Sequence, residues 1–407
     1  MRDILPPEAG RRRRLSRRLL DHFALHGYDL VTPPAFELAD VLERGLGTLD
    51  PRDVLRFVEP ESGEVAALRP DMTPQIARIA ATRLADKPLP MRLCYEGTVM
   101  RRRQERARKH RQIPQAGVEL LGVAGPEGDI ELLNLAVGSA RAAGLSDFVL
   151  DLGHADIARA MMVGVPASLA SAILDALAHK DVAVVRDLVG DAKLSPQQAT
   201  AFCELPTLHG NGEVWKEAER VLAPTPAGPA LRALRDLWDR AIAAGLEVVM
   251  RVDLGEVRGF AYYTGALFHL LADGPGEPFG SGGRYDDLLA RFDTPMPAAG
   301  FGLDLDNLAW SLRLAGKEEG SDCRVLISPG PTAPALSGAL RSLGVGCVVG
   351  PPGDDETYAR AWSFSHLFRE AHGGKLEILT MATGNAQALG PLPSADLAAR
   401  IAKIVLR

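Results

Sequence analysis

Cysteine is scarce in this 407-residue chain. The four present, Cys94, Cys203, Cys323 and Cys347, lie far apart and form no CxxC pair, which argues against a zinc ribbon and a dithiol redox motif. Buried free thiols in a reducing compartment are the expectation. Long apolar runs are missing too. None approaches the length of a membrane span, and the N-terminus is charged from Arg2 with no apolar signal core. The expected location is cytoplasmic, with no membrane partner. Positive charge is not in excess: the formal net charge is -6, so no global attraction draws the chain to nucleic acid. The run Gly280-Ser281-Gly282-Gly283 is followed by Arg284-Tyr285-Asp286 and lacks the Gly-Lys-Ser/Thr of a phosphate-binding loop. Its glycines are expected to form a bend where backbones pack closely.

What is present is an ordinary globular composition, 46% apolar and 24% charged, in a chain long enough for two or three domains. Leu15, Leu19, Leu20, Phe23 and Leu25 form an apolar stripe that predicts a helix within residues 3–28. Six arginines between Arg11 and Arg18 occupy its other faces and read as a solvated or subunit-facing surface. Tyr28 to Pro34 predicts a strand, Arg56 to Arg69 a hairpin turning at Ser62-Gly63, and Pro70 to about Leu84 a helix. Strands at Met91 to Tyr95 and Val118 to Gly122 flank a basic loop, and Phe148 to Leu152 is another strand. From about 157 to 244 a helical period dominates, which reads as a helical insertion; strand patterns resume at Val248 to Asp253 and Tyr262 to Leu271. After a polar linker, alternating strand and helix patterns over 322–407 predict a small α/β domain.

Segments dense in polar and aromatic residues carry the chemistry. They are LRPDMTPQIAR (Leu68 to Arg78), the pair Gln115 and Glu119, and VRGFAYYTG (Val257 to Gly265). In order and spacing these, with Asp3 to Pro6, GGRYD and GFGLDLDNL (Gly300 to Leu308), resemble the catalytic domain of class II histidyl-tRNA synthetases. They resemble more closely a paralogue of that domain, the regulatory subunit of short-form ATP phosphoribosyltransferase. The resemblance covers about residues 1–315. It implies an α+β fold, a class II synthetase-like antiparallel sheet flanked by helices, over residues 1–316. It also implies a pocket for L-histidine: Asp71 and Thr73, helped by Gln115, hold the ammonium, Glu119 and Tyr262 grip the imidazole, Tyr263 lines the pocket, and Arg258 meets the carboxylate end. The residue types suit those tasks, since a zwitterion needs an acceptor, a donor and polar partners for both ring nitrogens. A carboxylate and a phenol reject an apolar ring because unpaired buried polar groups are costly. Tyr262 and Tyr263 fall in a predicted strand, where neighbours point to opposite faces, so one of the two is expected outside the pocket.

The same resemblance locates an impaired ATP site. Adenylation needs cations around the triphosphate. Arg101 stands at the arginine for the α-phosphate, but Arg103 replaces a glutamate that helps hold adenine. The family's Gly-Leu-Glu-Arg reads Asp304, Leu305, Asp306 and Asn307 here, and asparagine does not replace arginine in bidentate phosphate contact. Ala261 replaces an acidic residue usual in the synthetase signature. The loop from Arg101 to Arg111 holds seven Lys or Arg against Glu105. It reads equally as a solvated loop and as an anion or partner contact, with Arg101 and Arg103 as the candidates. Residues 322–407 carry eight Lys or Arg and seven Asp or Glu without a basic cluster. Trp362 and Phe364 fall in a helical pattern and read as core, not as a base-stacking platform, so tRNA binding is not expected.

The resemblance therefore implies no catalytic residue, metal or cofactor. It implies a non-catalytic regulatory subunit that activates a short ATP phosphoribosyltransferase catalytic subunit and mediates histidine feedback inhibition in the first step of histidine biosynthesis, as a homodimer within a hetero-octamer. The rival from another class is an active histidyl-tRNA synthetase, which requires the usual ATP ligands at positions 103 and 307 and a basic tail. Another synthetase paralogue with a different target is the third reading.

Overall fold

The structure, a computed structural model, describes residues 3–46, 54–101, 112–257, 262–317, 323–371, 375–390 and 394–406. By internal packing the chain forms two compact units: Leu15–Lys317, and a smaller one that joins Asp3–Arg14 to the chain after Lys317.

The N-terminal pattern gives α1 (Glu8–Leu25), which buries Leu15, Leu19 and Phe23, while Leu25 is exposed at its end. β1 (Asp29–Leu30) is shorter than expected. Pro33 and Pro34 have no N–H for a ladder and stop it. β2 (Phe36–Leu38), β3 (Arg56–Val58) and β4 (Val65–Leu68) form a small sheet in the order β2-β4-β3, with α2 (Ala39–Leu46) against it. The β3–β4 hairpin turns through Gly63 at φ 73°, a conformation glycine adopts without steric cost. α3 (Thr73–Thr82) follows.

The large unit is organised by a nine-stranded sheet. β5 (Met91–Met100) and β6 (Gln112–Leu121) are longer than the sequence pattern indicated; most of the basic loop between them lies outside the described residues. After α4 (Glu127–Ala142) come β7 (Val149–His154) and six helices: α5 (Ala155–Met161), α6 (Ala167–Ala178), α7 (Val182–Asp191), α8 (Pro196–Glu204), α9 (Val214–Leu222) and α10 (Gly228–Ala243). A two-residue strand, β8 (His209–Gly210), interrupts them. Then follow β9 (Val249–Asp253), β10 (Ala266–Leu271), β11 (Gly280–Arg284), β12 (Ala298–Asp304) and α11 (Leu305–Leu314). The strand order is β1-β5-β6-β12-β11-β10-β7-β9-β8. From β5 to β7 every pairing is antiparallel; β1 and β9 join in parallel.

Alternation along the strands sorts the two faces. Val118, Leu120, Leu150, Leu152, Phe268, Leu270, Phe301 and Leu303 pack with α1, α4 and α10 into one core, which the buried Ile173, Phe202, Trp215 and Trp238 of the helical segment join. The opposite face carries Glu119, and a second cluster of Met72, Ile76, Tyr95, Tyr262, Tyr263 and Tyr285 covers it. Two expectations are corrected here. Gly280–Arg284 is a central strand and not a bend, because both its neighbours pair with it. Residues 262–265 are not strand; β10 starts at Ala266.

The smaller unit has β13 (Arg324–Ile327), α12 (Ala333–Ser342), β14 (Gly346–Val349), α13 (Asp355–Ala361), β15 (His366–Ala371), β16 (Lys375–Thr380), β17 (Ala386–Ala388) and α14 (Ser394–Val405). Its sheet order is β14-β13-β15-β16-β17, with β13 parallel to both neighbours. β15 was not foreseen. α13 ends at Ala361, so Trp362 and Phe364 lie beyond it; Phe364 is buried, but Trp362 is exposed and not core. No described helix is long and apolar enough to cross a membrane.

Candidate functional site

β6 and β12 run antiparallel with Glu119 opposite Gly300 and Gln115 opposite Asp304. Gly283 of β11 lies opposite Gly300, and Gly302 lies between Gly117 and Ser281. Directly paired residues share a face, so Glu119 stands beside a floor of almost bare backbone. The missing side chains matter. A Cβ on Gly300 would collide with the Glu119 carboxylate, one on Gly283 would lie 2.9 Å from Tyr263 Cε1, and one on Gly117 would lie 2.5 Å from the Tyr95 hydroxyl.

α3 and the segment before it supply the other wall. The Asp71 carboxylate accepts from the Met72 N–H at 2.8 Å and from the Tyr262 hydroxyl at 2.7 Å. Thr73, the first residue of α3, donates its hydroxyl to Glu119 Oε1 at 2.7 Å. The Tyr285 hydroxyl donates to the other Glu119 oxygen. The rings of Tyr262 and Tyr263 are 4.8 Å apart, and Tyr285 meets Tyr262 edge-on at 5.6 Å. Arg101 donates to the Pro70 carbonyl at 2.7 Å and approaches Asp71 at 3.9 Å. Gln115 is buried on the floor strand, and its side-chain oxygen is a buried acceptor without a hydrogen-bond partner among the described residues.

Electrostatics follow from depth. Glu119 is 1% exposed. Burial pushes its carboxyl up to about 8, against the opposing bonds from Tyr285 and Thr73 and with a smaller push from Asp71. Burial also lifts the phenols of Tyr95, Tyr262 and Tyr285 well above their usual range, so they stay neutral donors. Further along the same face, His269 lies 3.2 Å from Ser281 Oγ and 3.3 Å from Glu256 Oε1. The nearby Asp151 is pushed up to about 6 by burial, then by Asp253 and Glu256. From behind, Arg159 of α5 donates to the Tyr263 carbonyl at 2.6 Å.

The structure thus gathers Asp71, Thr73, Glu119, Tyr262, Tyr263 and Arg101, with Gln115 on the same sheet face as Glu119. Arg258 and Arg103 lie outside the described residues. The expected separation of Tyr262 from Tyr263 is corrected: strand alternation does not apply in a turn, and both rings are buried in one cluster. Tyr285 and Tyr95 were missed. The signal for Tyr285 was its place in GGRYD, a segment read only for its glycines. At the start of α11, Asp304 caps the helix, accepting from the N–H groups of Asp306 and Asn307, each at 3.0 Å. Asn307 is buried and donates to the Pro278 carbonyl at 2.9 Å. Among the described residues no group of three or more His, Cys, Asp or Glu is placed to hold a metal ion.

Comparison with known proteins agrees with the fold. A family model described as histidyl-tRNA synthetase matches residues 1–308. A Syntrophotalea carbinolica protein described as an ATP phosphoribosyltransferase regulatory subunit is 35% identical over 402 residues, covering 96% of this chain and 94% of that one. An Alkalilimnicola ehrlichii protein of the same description is 41% identical over 75% of this chain and 77% of its own. Among solved structures, a Bacillus halodurans protein described as an ATP phosphoribosyltransferase regulatory subunit/histidyl-tRNA synthetase superposes with TM-score 0.76 at 27% identity, over 88% of this chain and 94% of that one. Histidyl-tRNA synthetase from Nostoc sp. PCC 7120 shares the fold, with TM-score 0.79 at 19% identity over 99% and 97% of the two chains.

Proposed function

The chain belongs to the ATP phosphoribosyltransferase regulatory subunits, a histidyl-tRNA synthetase-like family, and from that premise we propose that it senses L-histidine in the Glu119 pocket for a short catalytic subunit. The observation that carries the reading is the buried Glu119, held between Thr73 and Tyr285 on a glycine floor. A carboxyl that titrates near 8 and an imidazole that titrates near 6.5 share a single proton at neutral pH, which suits a hydrogen-bonded or ion-paired contact. Asp71, Thr73 and the Gln115 side-chain oxygen take the ammonium; Tyr262 and Tyr263 bound the ring; Arg258 takes the carboxylate end.

The nucleotide side supports a non-catalytic role. The Asp304 carboxylate caps a helix and the Asn307 amide holds a carbonyl, and neither supplies the cation that a triphosphate needs. Arg103 stands where the family places an adenine-binding glutamate. Adenylation is lost on this reading. Residues 1–316 then form the histidine-binding core, with the helical insertion over 157–244, and residues 322–407 an appended domain that does not bind tRNA. The working form is a homodimer within a cytoplasmic hetero-octamer.

The test is reconstitution with the short catalytic subunit of the same organism. A stable complex on gel filtration, faster formation of phosphoribosyl-ATP than by the catalytic subunit alone, and suppression by histidine are expected. Failure to form a complex, or histidine-dependent exchange of pyrophosphate into ATP at the rate of an ordinary synthetase, would overturn the reading.

A further inference from the structure

The smaller unit contains a crevice that plays no part in the histidine reading. β13 is flanked by β14 on one side and β15 on the other, all parallel. The chain passes through α12 to β14 and returns through α13 across β13 to β15. The sheet order therefore reverses between β13 and β15. At such a point the loops at the carboxyl ends of the strands part, and open α/β sheets bind ligands there. A cavity of about 350 Å³ lies at this place, at the small end of ligand sites. Ser328, Pro329 and Gly330 after β13 and Gly353 to Glu356, which lead into the first turn of α13, wall it, and Phe368 and Leu376 add apolar surface.

Two residues that line this cavity, Ser328 after β13 and Asp355 at the start of α13, each carry a buried oxygen, Oγ and Oδ1, without a hydrogen-bond partner among the described residues. Buried polar atoms in native proteins are paired, so two orphans at one cavity mark missing partners. Charge decides what those partners are. Asp354, Asp355, Glu356 and Glu370 line the cavity against one guanidinium, Arg369. Arg369 already donates to Glu377 at 2.7 Å and lies 3.5 Å from Glu356. This balance repels phosphates and nucleotides, the usual guests at a switch point.

We infer that the crevice binds a small primary ammonium compound with a hydrogen-bonding oxygen a few bonds away, as in amino alcohols, which are cations, and free amino acids, which are zwitterions. The ammonium meets Asp355 and the exposed Glu370, the neighbouring oxygen meets the Ser328 hydroxyl, and an apolar body lies against Phe368 and Leu376.

The test uses the full chain carrying Glu119→Ala, which weakens the proposed histidine pocket, and leaves histidine out of the probes. Thermal shift across the other common L-amino acids and L-leucinol finds the binder, and calorimetry measures its affinity with and without Asp355→Asn. Stabilisation by at least one probe and affinity weakened about tenfold in Asp355→Asn are expected. Binding by an amino acid and not by leucinol assigns the oxygen to a carboxylate; the converse assigns it to a hydroxyl. If Asp355→Asn fails to fold, the exposed Glu370→Gln takes its place with the same expectation. No binding by any probe, undiminished binding by the folded variant, or preferential binding of inorganic phosphate at this crevice would each overturn the inference.

Discussion

The strand pair β6–β12 carries a carboxylate near each end, and the two are bonded differently. Glu119 faces a glycine and is met by hydroxyls of Thr73 and Tyr285, side chains from elements distant in sequence. Asp304 is met by backbone N–H groups of the helix it begins. Side-chain donors can turn towards a ligand and leave every element in place. A capping carboxylate cannot leave without exposing a helix end. The type of partner, more than the presence of charge, separates a binding group from a structural one.

The strongest test of that contrast is Glu119→Ala. Histidine affinity measured by calorimetry should fall roughly ten- to hundredfold, the loss of a charged hydrogen bond worth about 1.5–3 kcal/mol. Affinity equal to that of the wild type would remove Glu119 from the site.

A smaller effect should appear in pH. The pocket and ligand share one proton between about 6.5, where free imidazole titrates, and about 8, where Glu119 titrates. Below that window a proton must be released on binding, and above it one must be taken up. Affinity should peak inside the window and fall about tenfold per pH unit on either side. For the unliganded protein the sign is different. The folded carboxyl at about 8 lies above its ordinary 4.5, so its contribution to stability is full below pH 4.5 and is lost as pH rises through about 8. Unfolding titrations should show that slope, and Glu119→Gln should flatten it.

The smallest effect belongs to the other end. Asp304→Ala should lower stability by about 1 kcal/mol, as a lost N-cap does, and leave histidine affinity unchanged. A binding defect there, with folding intact, would erase the distinction between the two ends.

Much of this was legible in sequence, for a definable reason. Asp71 and Thr73 fall within one short segment, Gln115 and Glu119 lie four positions apart along one strand, and Tyr262 and Tyr263 are adjacent, so short motifs carried the family resemblance that pointed to them, and their side-chain chemistry suited the tasks it implied. The apolar stripe of α1 and the hairpin at Gly63 were equally local. What escaped depends on pairing across the sheet. Nothing near Tyr285 in sequence indicates that its hydroxyl reaches Glu119, 166 positions away. Gly280 to Gly283 reads as a bend because glycine marks bends, but here the neighbouring strands and rings leave no room for side chains. The Tyr262–Tyr263 error came from applying a strand period to a turn.

The glycine floor has a genetic consequence. Every other amino acid carries a Cβ, so no missense change at Gly300 is conservative: each places a carbon against the Glu119 carboxylate. Asp304 has tolerant neighbours, since Asn, Ser and Thr also cap helices. In a saturation screen for histidine sensitivity, the residue without a side chain should be the intolerant position and the charged residue the permissive one, the reverse of a ranking by chemical reactivity.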